Sequence, residues 1–229
     1  MEMKQIQSLS MFLTVLAILT LLPIYDTAQA KVNIFEPGAG TSISAEGSLV
    51  YRSAYWSWFQ SSDSAADNEY TYFFIQSRLG VTLDNPHIGA YVQVQDVYMG
   101  NLPDNALAPA PQGPLGIGAI YTLHTEDPSP HALAIRQAYV TIPRVLVEGL
   151  SARIGRFDYF DGKEVMYKDP KVNWLKNVRL SERLIGPFGW SSFNRSFDGL
   201  EVAYDQAAYQ LHSVVTRPTQ GGFEEDFHR

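Results

Sequence analysis

Arginines set on the polar side of otherwise apolar runs are the residues of this chain whose type and spacing carry the most chemistry. Arg78 shares a face with Gln76 and Thr82 and alternates with Leu79, Val81 and Leu83, while Arg153 shares one with Ser151 and Gly155 opposite Leu150, Ala152 and Ile154. Gln93 and Gln95 alternate in the same way with Val92 and Val94. In a water-soluble sheet such side chains would simply point to solvent. Where the apolar face must meet lipid they would point into an enclosed path, and fixed positive charge there selects anions. Glu201 falls on the same polar side if Leu200, Val202 and Tyr204 form the apolar one, so some of these charges would form structural ion pairs rather than a solute path. Arg136 lies among Ala134, Ala138 and Val140 with Gln137 and Tyr139 on the other face, so alternation leaves its direction open.

The residues that support covalent or metal chemistry elsewhere are not arranged for it. Histidines at 87, 124, 131, 212 and 228 have no ligand-pair spacing, and oxygen ligands gathered over 158–169 lack the spacing of a calcium loop, so no metal is expected. There is no Gly-x-Ser-x-Gly elbow, and Gly116-x-Gly118 follows a Pro-rich loop rather than a strand. The acidic pairs Glu126-Asp127 and Glu224-Glu225 sit in an expected loop and tail, without the apolar pocket that would raise a carboxyl pKa. The expectation is therefore a non-enzyme without cofactor. A formal net charge of -7 argues against a nucleic-acid partner.

The elements that must hold the arginines are strands. Residues 73–83 alternate with period two, Asp84-Asn85-Pro86-His87 supplies turn formers, and 90–95 alternate again. The same pattern returns over 132–142 and 150–157 through Pro143 and Gly149, and over 199–205 and 208–216. An earlier run, 48–59, is aromatic on both faces, with Tyr51, Tyr55 and Phe59 against Trp56 and Trp58, so its orientation cannot be read. That makes seven expected strands, of ~9–11 residues where the pattern is clear, the length that crosses a bilayer in a barrel. Connections 84–87, 143–149 and 206–207 are short, whereas 100–131 and 161–197 are long, the rim asymmetry of outer-membrane barrels. A short helical piece is expected within 173–185.

Export is expected from the N-terminus. Lys4, the apolar run 11–22 and the small residues of Ala28-Gln29-Ala30 form a secretory signal-peptide pattern over residues 1–30, broken by Pro23 and Asp26 before it could span a bilayer as a helix. With no cysteine, the exported portion 31–229 must be held by a core or by sheet closure rather than by disulfides. The 13 Tyr, 12 Phe and 4 Trp of the whole chain suit the aromatic girdles of an all-β, antiparallel transmembrane barrel. The rival is a secreted soluble β-sandwich that binds carbohydrate through exposed Trp and Tyr. Aromatics gathered at strand ends with aliphatics between them favour lipid, and aromatics scattered through a shared face favour a core.

The motifs Arg78-Leu79-Gly80-Val81, Tyr91-Val92-Gln93-Val94-Gln95-Asp96, Ile135-Arg136-Gln137-Ala138-Tyr139-Val140, Arg153-Ile154-Gly155-Arg156 and Arg195-Ser196-Phe197-Asp198-Gly199-Leu200 occur in that order. In order and spacing, over about 70–204, the chain resembles the alginate-export family of outer-membrane barrels. The resemblance implies an eighteen-stranded barrel in the bacterial outer membrane, inserted by the barrel-assembly machinery, that passes an anionic polysaccharide or small anionic solute. It further implies that Arg78, Arg136, Arg153, Arg156 and Arg195 line the path together with Gln76, Gln93 and Gln95, and that Asp96, Asp198 and Glu201 are counter-charges. Seven strands are too few for that barrel, so the expectation is an incomplete one, the N-terminal portion of a larger wall.

Overall fold

The structure, a computed structural model, describes residues 26–38, 40–57, 69–102, 129, 131–162, 167–181, 185–189 and 192–219. These form one antiparallel sheet of eight strands in simple sequence order. The strands are β1 (Asp26–Gly38), β2 (Thr41–Ser57), β3 (Glu69–Asp84), β4 (Gly89–Gly100), β5 (His131–Ile142), β6 (Leu150–Phe157), β7 (Phe197–Asp205) and β8 (Gln210–Pro218). The sole regular interruption among the described residues is α1 (Pro170–Trp174), which runs on as a π-helical segment over Leu175–Ser181. Asp169 caps α1 by accepting from the Lys171 amide, and Pro170 occupies the first turn, where a missing N–H costs nothing. The sheet does not close on itself: each strand pairs with its sequence neighbours, and β1 and β8 remain edges among the described residues.

The fold is thus all-β and antiparallel as expected, with one strand more than the sequence pattern yields. The addition is β1, whose first residues overlap the expected cleavage region. Strand β2 also starts at Thr41 rather than at 48. The apolar run 11–22, the loop residues 103–128 and the acidic tail lie outside the described residues.

Four short turns share one rim. Between β3 and β4, Asn85 Oδ1 accepts from the His87 amide (2.9 Å), and Asn85 Nδ2 reaches Thr41 Oγ1 (2.7 Å), tying this turn to the one between β1 and β2. Between β5 and β6 the chain turns through Gly149 at φ +85°, whose carbonyl accepts from the Asp205 amide on the neighbouring hairpin. The connections 58–68, 101–130 and 158–196 all leave from the opposite rim.

Alternation gives the sheet two unlike faces. On one stand Leu49, Leu79, Val81, Val92, Val94, Leu133, Ile135, Ile154, Leu200 and Val215, all exposed. On the other stand Gln76, Gln93, Gln95 and Arg136, all buried. A buried apolar cluster lies on this second face, near the rim of long connections, where Tyr72, Phe74, Val97, Met99, Leu102, Ala132 and Phe193 pack together. The register settles β2: Tyr51 and Tyr55 stand opposite Ile75 and Thr71 on the exposed apolar face, and Arg52 opposite Phe74 on the other.

Strand β5 carries an extra residue. Gln93 pairs with Gln137 and Val94 with Ile135, so Arg136 is left over as a bulge. Beyond it the parity of β5 inverts, which keeps Tyr139 and Thr141 on the polar face and Val140 on the apolar one.

A second local constraint is Gly155, at φ +126°, where an added Cβ would run into the carbonyl oxygen of Ala138 on the paired strand. Gly155→Ala is expected to destabilise the sheet by about 1–3 kcal/mol. Gly47→Ala, whose added Cβ would meet Leu79 at an ordinary 3.5 Å, should cost nothing comparable. Urea unfolding of the two variants checks this, and equal midpoints would contradict the backbone placed at Gly155.

Candidate functional site: a charged strip under a folded-in segment

The polar face carries a row of hydrogen-bonded charges across β2 to β7. Beginning at β2, Tyr91 donates to Glu46, and Gln93 Nε2 donates to the Tyr91 hydroxyl (2.7 Å). Arg78 Nε donates to Gln95 Oε1 (2.8 Å), and its terminal nitrogen donates to Asn194 Oδ1. Arg136, only 3% exposed, pairs with Asp158 at 2.7 Å. Arg153 pairs with Glu201 at 2.5 Å and lies 4.1 Å over the ring of Phe157. Each guanidinium presents a planar fork that suits carboxylates and other oxyanions.

The three arginines are not equivalent. Arg136 and Arg153 are each neutralised by a carboxylate at contact distance. Arg78 is held by two amide oxygens and, among the described residues, has no ion-pair partner.

A segment from the connection between β6 and β7 folds over this strip. Gln76 Nε2 donates to the Ser192 carbonyl (2.6 Å) and to Asn194 Oδ1 (3.0 Å), and the Ser196 hydroxyl donates to the Arg136 carbonyl (2.7 Å). Asn194 in turn donates to the Phe188 carbonyl (3.2 Å), which braces the segment internally. Phe193 fills the apolar cluster at the end of the same face. The strip remains open to either side of this cover. A cavity of about 420 Å³ is lined by Lys31, Glu46, Arg78 and Gln93, and another of about 1210 Å³ by Arg153, Asp158, Glu201 and His212.

The sequence-based set divides between the faces. Gln76, Arg78, Gln93, Gln95, Arg136, Arg153 and Glu201 come together on the polar one. Arg156 does not: three residues on from Arg153, it stands with Ile154 on the apolar face, where Asp198 holds it at 2.6 and 2.7 Å. Arg156 and Asp198 therefore stand on the face opposite Arg78, Arg136 and Arg153. Asp96 is also on the apolar face, opposite Ser77 and Leu133, and pairs with His131 at 2.5 Å. Arg195 belongs to no strand. Its guanidinium lies 4.0 Å over the Phe188 ring, and partial burial lowers its pKa from the ordinary value.

Sequence reasoning missed Arg52, Glu46 and Asp158. Arg52 lies 5.1 Å over the Phe74 ring on the polar face, within the run whose orientation could not be read. Glu46 lies in the half of β2 that was not recognised as strand. Asp158 stands just past the end of β6, where its placement beside Arg136 follows from the sheet and not from local spacing. The spacing signal available for Asp158 was its position directly after the aromatic that ends the strand.

Comparison with protein-family models, with characterised proteins and with solved structures finds no match to this chain.

The Arg136–Asp158 pair supplies a test of the strip. Removing the buried guanidinium by Arg136→Met strands the carboxylate, and the expected loss is about 3 kcal/mol in unfolding free energy. The double variant with Asp158→Asn should recover a large part of that loss. A double variant as unstable as the single one would show that the pair is not coupled.

Proposed function

We propose that this sheet is part of the wall of an outer-membrane-type β-barrel, and that its polar face lines a path for an anionic solute with no covalent chemistry. The observation that carries the reading is the opposition of the two faces. Exposed aliphatics fill most of one, which carries the Asp96–His131 and Arg156–Asp198 pairs toward the rim of long connections, while the Arg136–Asp158 and Arg153–Glu201 pairs and the folded-in segment occupy the other.

The apolar face is bordered as a lipid-facing band would be. At the rim of long connections Tyr51, Phe73 and Tyr98 form a row across three strands with ring centroids 6.0 Å apart. At the rim of short turns stand Phe35 and the pair Tyr204 and Tyr209, 5.9 Å apart. Aromatics at both ends with aliphatics between are the girdle pattern of membrane barrels. Residues 73–83 extend roughly 33 Å along β3 at ~3.3 Å per residue. A strand tilt of ~45° reduces that to roughly 23 Å, close to the ~25 Å of an outer-membrane apolar band. A soluble sandwich would need a second layer over this face, and the cover that the described residues provide lies on the opposite side.

The solute follows from charge and from resemblance. The Arg78 guanidinium, bonded to amide oxygens and not to a carboxylate, attracts anions, and the likeness of the motifs to the alginate-export family makes an acidic polysaccharide the first solute to try. Export by a cleaved leader, insertion by the barrel-assembly machinery and residence in the outer membrane complete the reading.

Two measurements test it. The full chain should stay in the outer-membrane fraction after alkaline extraction, and release as a soluble protein would refute the membrane assignment. In planar-bilayer recordings under a salt gradient, Arg78→Gln should reduce the anion-to-cation permeability ratio by about twofold or more. Arg153→Gln should reduce it less, since Glu201 already neutralises that charge. Unchanged reversal potentials for both would refute the electrostatic path.

A further inference from the structure

The apolar face is not uniformly apolar. A groove of about 860 Å³ runs across β5 to β8, walled by Ile135, Ala138, Ile154, Leu200 and Val215 and ended by the Arg156–Asp198 pair. Asp198 uses both oxygens on Arg156. Directly across the next ladder, Arg217 stands opposite Asp198 and is exposed. Among the described residues Arg217 has no ion-pair partner, so its guanidinium stands as a further positive charge beside the Arg156–Asp198 pair.

The cluster lies at one level of the sheet. Arg156 is the penultimate residue of β6, Asp198 the second of β7 and Arg217 the penultimate of β8. All three are thus at the rim of long connections, the rim along which Tyr51, Phe73 and Tyr98 form their row on β2 to β4. A charge on a lipid-facing surface is costly at mid-depth and becomes tolerable at the interface, where headgroups supply counter-charge. An unneutralised guanidinium beside an aliphatic groove offers both halves of an amphiphile their partners: a fork of donors for an oxyanion and an apolar channel for a chain.

We infer that this groove is a binding site for a lipid with a phosphate in its headgroup, the phosphate on Arg217 and Arg156 and an acyl chain along Ile135, Ile154, Leu200 and Val215. This site rests on the membrane-wall reading but is separate from the polar strip, and no residue is shared between them. Arg156 in this role is already held in place by Asp198, so the lipid meets a preorganised donor. Arg217, exposed and without an ion-pair partner among the described residues, supplies the further charge.

The test uses the full chain reconstituted into vesicles of digalactosyldiacylglycerol, a host lipid without phosphate, with and without a small fraction of spin-labelled phosphatidic acid or of spin-labelled diacylglycerol with the same chains. The expected result is selective motional restriction of the phosphatidic acid label over the diacylglycerol label. Arg217→Gln should abolish most of that preference, whereas Arg144→Gln, an exposed arginine at the opposite rim, should preserve it. Because Arg217 is exposed, its replacement leaves the sheet intact, and unchanged vesicle retention verifies this. No preference in a chain that stays embedded, or a preference that survives Arg217→Gln, overturns the site alone. Displacement of the label by millimolar inorganic phosphate would reassign the cluster to a soluble anion and overturn the lipid assignment. Failure of the chain to remain with vesicles after alkaline washing overturns the site together with the membrane reading.

Discussion

The parity of β5 governs which charges meet. Antiparallel pairing presents alternate residues to opposite faces, so an unbroken β5 would carry Ala132, Ala134, Arg136, Ala138 and Val140 on the polar side and send Gln137, Tyr139 and Thr141 to the apolar one. The extra residue at Arg136 prevents this. Before it Leu133 and Ile135 are exposed on the apolar face, and after it Val140 rejoins that face while the Tyr139 ring meets that of Tyr91 at a tilt, with centroids 5.5 Å apart. Strands β6 and β7 take their register from β5, so Arg153, Phe157 and Glu201 reach the polar face because the bulge is there. The bulge also re-aims the Arg136 guanidinium toward Asp158, where burial requires a paired charge.

The same argument separates what could be read in the sequence from what could not. Strands with clean alternation, such as 73–83 and 150–157, were legible because each face kept one polarity throughout. Arg136 was not, since a bulge makes local alternation contradict itself, and the ambiguity at that residue was the trace of the bulge. Arg156 and Asp96 were assigned to the path by likeness of motif, against their parity: Arg156 is three residues from Arg153 and Asp96 is one from Gln95, odd separations that place them on the opposite face. Strand β1 was hidden behind the expected leader, and the first half of β2, with its Ser, Ala, Gly and Glu, has too little apolar contrast to show a period. The covering segment was beyond reach for another reason. Its contacts with the strip join residues 60 to more than a hundred positions apart, such as Ser196 with Arg136 and Gln76 with Ser192, and no local pattern encodes them.

The cover itself is chemically selective in a way that bears on the strip. Ser192, Phe193, Asn194 and Ser196 meet the strip and its apolar end through acceptors, donors and an aromatic ring without formal charge, while Arg195 of the same segment lies over the Phe188 ring. Arg78 is therefore bonded without being neutralised, while Arg136 and Arg153 are matched by Asp158 and Glu201. A guanidinium screened from bulk water by neutral groups projects a stronger field into the space beside it than one that faces solvent. That space is the cavity shared by Arg78, Lys31 and Gln93, with Glu46 bound to Tyr91 at its wall. The folded-in segment thus narrows the polar face and sharpens its electrostatics by one and the same set of contacts, and a carboxylate in place of Asn194 would keep the narrowing while cancelling the field.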